Sequence, residues 1–138
     1  MTDAVDDDLR LAILRLARRI RLERGDTDVS DSQLSVLFVL LKEGQQSLGS
    51  LSDYERVTSP SMNRTVNCLI ESGLVSRENA ADDGRKVLIS LTDAGRELAR
   101  ETRRRREAWF AQRLAELPPA DRAALTAAAP ILQGIADS

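Results

Sequence analysis

Histidine is missing from this chain of 138 residues, and cysteine occurs once, at Cys68. A zinc site drawn from imidazole and thiolate ligands has almost no candidates, and an internal disulfide cannot form. With no histidine, no spaced pair of acids and no activated nucleophile, the chain reads as a non-enzyme needing neither metal nor cofactor. No apolar run approaches the roughly 20 residues that span a bilayer, so no membrane partner is expected. The acidic start, Met1 to Asp8, has no basic segment leading into an apolar block. A secretory signal is therefore not expected, and the chain reads as cytoplasmic.

A large excess of positive charge is also absent. The formal net charge is −2 and the pI about 5.3. Between Gln45 and Leu91, five basic residues face six acidic ones. Composition alone therefore does not announce a nucleic-acid binder. What counts is whether cations gather on one surface, because phosphate contacts act within a Debye length of about 8 to 10 Å.

What the chain does contain is a succession of helical patterns interrupted once by strands. From about Asp6 to Glu23, Leu9, Ile13, Leu16 and Ile20 recur 4, 3 and 4 apart, with Asp6 to Asp8 at the start and arginines near the end, matching the helix dipole. After Gly25-Asp26-Thr27-Asp28, Ser30 and Gln33 form a capping box with Val29 and Leu34 as its staple. The helix they open is apolar nearly all round, which marks it as central and buried, and Gly44 is placed to end it. Ser47 can cap a short helix stopping near Glu55. A tight turn at Arg56-Val57 follows, and Ser59-Pro60 begins another helix.

In that second short helix Met62, Val66, Leu69 and Ile70 form an inward face, leaving Pro60, Ser61, Arg64, Asn67 and Cys68 outside and Asn63 on the flank. Leu74 to Glu78 and Lys86 to Leu91 read as a hairpin around the charged tip Asp82-Asp83-Gly84-Arg85-Lys86. Thr92 caps a helix reaching about Leu114. After Pro118-Pro119 comes a last helix with Leu125, Ala128, Leu132 and Ile135 on one stripe, which Pro130 should kink or shorten. The expected architecture is mostly α with a small β-hairpin wing: an N-terminal dimerisation helix and linker (1–29), a winged helix-turn-helix (30–92) and C-terminal dimerisation helices (93–138).

This order presents one helix to a DNA groove. Arg64 has the reach and the fork for guanine O6 and N7, and Asn67 the paired ends for adenine. The Ser59 and Ser61 hydroxyls suit phosphate at the helix N-terminus. Arg85 and Lys86, at the hairpin tip, suit the minor groove and its phosphates, with Asp83 pairing Arg77 or Arg85 to shape the tip. Leu9, Ile13, Leu16, Leu125 and Leu132 offer apolar surface beyond what the small winged domain can cover, so a symmetric second copy is expected there. Trp109, Phe110 and Leu114 belong to that interface or to an effector pocket, with plain core packing favoured over ligand contact. Arg103 to Arg106 read as a solvated block among Glu101 and Glu107. Cys68, with no second thiol or histidine to activate it, reads as structural. The alternative to a DNA-binding regulator is a winged-helix module that docks a protein partner.

The Ser-Pro-Ser-Met-Asn-Arg-Thr-Val run, Gly73-Leu74-Val75, and Asp83-Gly84-Arg85-Lys86 leading into Leu91-Thr92 resemble the multiple antibiotic resistance regulator (MarR) family. The similarity covers nearly the whole order of elements, although Arg56 stands where a turn glycine is frequent and Tyr54-Glu55 replaces a more apolar helix end. It implies a homodimeric winged-helix repressor or activator on a pseudo-palindromic operator of double-stranded DNA, open to modulation by a small-molecule effector. By position, Ser61, Asn63, Arg64 and Asn67 would read the major groove and Arg85 the minor groove, while Asp83 would be the structural aspartate of the wing.

Overall fold

The computed structural model describes the backbone of residues 4–80 and 83–138, and their side chains apart from residues 80 and 83–85. Six helices and three short strands follow one another as α1 (Ala4–Leu22), α2 (Asp31–Glu43), β1 (Gln46–Ser47), α3 (Leu48–Glu55), α4 (Ser59–Glu71), β2 (Val75–Ala80), β3 (Asp83–Leu91), α5 (Asp93–Ala115) and α6 (Pro119–Ala136). They form two compact units, Arg24–Arg104 and the joined termini Met1–Glu23 with Arg105–Ser138.

The winged unit is organised by its caps. Ser30 Oγ accepts from the Gln33 N–H at 3.2 Å while Gln33 Oε1 accepts from the Ser30 N–H at 3.0 Å, so the expected capping box opens α2. Gly44 ends it at φ +80°, a backbone conformation that costs an L side chain energy. Leu34, Val36, Leu37 and Leu40 of α2 are buried, and Leu51, Met62, Val66, Leu69, Val75 and Ile89 close around them. This aliphatic cluster is the core of the unit.

One strand was not anticipated. Gln46 and Ser47 pair with Ile89 and Leu88, so the hairpin becomes a three-stranded antiparallel sheet in the order β1-β3-β2. Two residues carry no periodicity, and pairing arises only because the end of α2 delivers them to the free edge of β3. Along the hairpin the register matches Val75 with Leu91 and Arg77 with Ile89, with an irregularity after Asn79. The strands extend further toward the tip than the apolar alternation suggested.

Gly73 and Leu74 lock the sheet to α5. The Leu74 carbonyl accepts from the Thr92 N–H, and Thr92 Oγ1 donates to the Gly73 carbonyl at 2.7 Å while accepting from the Gly95 N–H at 3.1 Å. Gly95 lies so near that a Cβ there would stand 2.0 Å from the Leu74 oxygen.

In the terminal unit, α1 and α6 bury no residue at all. Helix α6 passes through Pro130 and runs to Ala136, so of the two effects expected of the proline, a kink or a shortening, the shortening does not occur. A proline removes one hydrogen-bond donor, and the seventeen other residues of an 18-residue helix sustain it around that gap. Trp109 is held between cations, with the Arg19 guanidinium carbon 4.4 Å and that of Arg113 5.3 Å from its ring centroid. The Arg106 guanidinium donates to the Arg21 carbonyl. Among the described residues no helix is long and apolar enough to cross a membrane.

Candidate nucleic-acid interface

Helix α3, the turn and α4 make the helix-turn-helix. Ser47 Oγ accepts from the Ser50 N–H and starts α3. Arg56 ends it at φ 55°, ψ 45°, the left-handed region, and its N–H reaches the Ser52 and Asp53 carbonyls. Glycine would enter this conformation freely, whereas for arginine it costs about 1–2 kcal/mol. The turn is nonetheless built as expected at Arg56 and Val57.

Thr58, one residue ahead of Ser59, is the N-cap of α4, its Oγ1 accepting from the Ser61 N–H at 3.3 Å. Pro60 has no N–H to offer and that of Ser61 is engaged, so of these first three residues Ser59 alone keeps a free backbone donor for a phosphate. The phosphate role foreseen for Ser59 and Ser61 must then rest mainly on their hydroxyls. Ser59 is exposed and Ser61 half-buried.

The inner face of α4 is as the spacing required: Met62, Val66 and Leu69 are buried and Ile70 packs against the core. On the other side Arg64, Asn67 and Cys68 are exposed, with Asn63 half-buried on the flank. Among the described residues Arg64 has no carboxylate partner, so its guanidinium is available to an incoming anion or base edge. Lys86 is likewise exposed on β3. The side chains of Arg85 and Asp83 lie outside the described residues.

Arg77 turns toward α4. Its Nη2 donates to Asn67 Oδ1 at 3.1 Å and to Asn63 Oδ1 at 3.3 Å, tying the hairpin to the outer face of the helix. Sequence reasoning kept Arg77 for the wing tip and did not foresee this bond, which joins residues 14 and 10 positions apart and leaves no pattern in the chain.

In the terminal unit the residues expected to pair two copies carry open apolar surface. Leu9, Ile13, Leu16, Leu125 and Leu132 are 37–54% exposed. Phe110 and Leu114 line, with Leu16, Leu125 and Leu132, an apolar cavity of about 430 Å³. Within the arginine block, Arg104 pairs with Glu101 at 2.7 Å and Glu97 at 3.5 Å, which fits the solvated reading. The pairing holds the Arg104 pKa above its usual value, chiefly through the Glu101 hydrogen bond.

A short helix, a tight turn, a polar-faced second helix and an antiparallel hairpin define a winged helix-turn-helix regulator. Residues 25–102 match the family model of the transcriptional regulator SarA/Rot. An HTH-type transcriptional regulator of Mycobacterium bovis is 42% identical over 130 residues, covering 94% of this chain and 91% of its own length. Two solved structures share the fold. A MarR family protein from Bacillus stearothermophilus superposes with a TM-score of 0.85 at 21% identity, covering 97% of this chain and 94% of its own. FabT of Streptococcus pneumoniae, solved in complex with DNA, gives 0.83 at 18% identity, with 95% and 96% covered. The chain belongs to the winged-helix transcriptional regulators of the MarR and SarA/Rot type.

Proposed function

We propose that the chain is a homodimeric, DNA-binding transcriptional repressor of a pseudo-palindromic operator, modulated by a small apolar or aromatic ligand. One observation carries the reading: α4 buries a continuous inner face and leaves Arg64 and Asn67 open on the other side. A recognition helix needs that division. The fold shared with FabT, whose structure holds DNA, supports the same partner here.

Pairing of two copies is supported by the terminal unit. Of the thirteen large hydrophobic side chains that are exposed among the described residues, eleven lie in α1 and α6, and neither helix has a buried residue of its own. At about 1.5–3 kcal/mol for full burial of each, such surface is a strong drive to association. A symmetric dimer would hold two recognition helices for successive major grooves, roughly 34 Å apart. The cavity lined by Phe110 and Leu114 has the size and apolar walls for the effector.

Fluorescence anisotropy with duplexes from the chain's own promoter region tests the proposal. Arg64→Ala should weaken binding by about 5- to 100-fold and relax sequence preference at one base pair of each half-site. Lys86→Ala should weaken all sequences alike and reduce the salt slope. Unchanged affinity and salt dependence in both variants would remove these residues from the interface.

A further inference from the structure

The bonds from Arg77 determine which way two reading side chains point. A guanidinium carries donors and no acceptor, so an amide can meet it only through Oδ1. Here the two hydrogens of one nitrogen, Nη2, serve two carbonyls one helical turn apart, on Asn63 and Asn67. An amide whose oxygen is turned toward β2 sends its nitrogen the other way. Asn67 is exposed on the outer face of α4, so what it can offer beyond the protein is its Nδ2 hydrogens.

That arrangement changes the base it suits. Pairing with adenine needs both ends of the amide, Oδ1 accepting from N6 and Nδ2 donating to N7. With Oδ1 engaged, the matching base edge is one made of acceptors: guanine N7 and O6, or thymine O4. An amide held in this orientation would favour such an edge over the adenine expected from the sequence. Resting on the DNA-binding reading above, we propose that Arg77 is a specificity-determining positioning residue, which converts Asn63 and Asn67 into donor-only readers of the major groove.

The experiment is site selection from a randomised duplex pool with the full chain, followed by anisotropy on the four single-base variants at the position whose preference Asn67→Ala erases. The wild type should favour guanine or thymine there by about 10-fold over adenine. Arg77→Met, which keeps the aliphatic length and loses every donor, should collapse or invert that ratio, and Arg77→Lys should retain much of it. Uniform weakening on all four duplexes by Arg77→Met, or a wild-type preference for adenine, overturns the inference. A wild type that retains no duplex from the pool sinks the DNA-binding reading itself, an outcome visible before any base preference is scored. Independently of DNA, the Asn63 and Asn67 side-chain amide resonances should shift in Arg77→Met, and resonances that stay in place would show that the contact is not made.

Discussion

Replacing Gly95 by alanine would test the junction on which the wing rests. The new Cβ would stand 2.0 Å from the Leu74 oxygen, 2.9 Å from its carbonyl carbon and 3.2 Å from Leu91 Cδ2. A carbon and a carbonyl oxygen need more than 3 Å, so one backbone must retreat by about 1 Å, in a core packed as densely as an organic crystal. Overpacking of this kind costs about 1–3 kcal/mol. The retreat also strains the bonds that converge there, from the Thr92 N–H to Leu74 and between the Thr92 hydroxyl and Gly73 and Gly95. At about 1 kcal/mol each, losing one or two brings the total to about 2–5 kcal/mol. Against it stands the helix propensity gained on leaving glycine, about 1 kcal/mol. The net expectation is a loss of about 1–4 kcal/mol, read as a fall of roughly 3–20 °C in the melting temperature followed by far-ultraviolet circular dichroism at fixed protein concentration. Gly49→Ala, in the same unit and with nothing within 4 Å of the new methyl, should change stability by less than about 0.5 kcal/mol or raise it. Equal melting temperatures for the two variants would refute the steric argument.

Further outcomes follow from single contacts. Thr102 is buried with no hydrogen-bond partner for its hydroxyl among the described residues, so the isosteric Thr102→Val should stabilise the fold by about 1 kcal/mol, seen as a higher urea midpoint at unchanged slope. Ser30→Ala should cost about 1 kcal/mol by opening one end of the α2 capping box. If the proposed dimer forms through α1 and α6, Leu132→Glu or Ile13→Glu should reduce its mass to that of a single chain in light scattering after size exclusion, and an unchanged dimer mass would place the pairing face elsewhere. Tyr54 is the one tyrosine of the chain. Its pKa is raised above 10, first by partial desolvation and then by the Glu43 carboxylate, so tyrosinate absorbance should develop above pH 10, and earlier in Glu43→Gln. A raised folded pKa means that this group's contribution to stability is complete below pH 10 and is lost as pH climbs through the folded value.

The helices were written locally. Ser30 with Gln33, Ser47, Thr92 and Gly44 mark ends through bonds that close within four residues, and the 3.6-residue recurrence of Met62, Val66 and Leu69 sets which side of α4 turns inward. Such signals survive in a linear chain because both partners lie within one turn of each other. Most of the candidate interface was legible for the same reason, since a buried stripe leaves its opposite face exposed. Long-range meetings left no such trace. The pairing of Gln46 with Ile89, the seat of Gly95 against Leu74 and the bonds from Arg77 to Asn63 and Asn67 join residues 43, 21, 14 and 10 positions apart. Each depends on how α2, α4 and the hairpin pack, a choice made by the shape of the common core and not by any residue's own preference. Local chemistry settled that Asn67 faces outward, and packing alone decided that its oxygen is already spoken for.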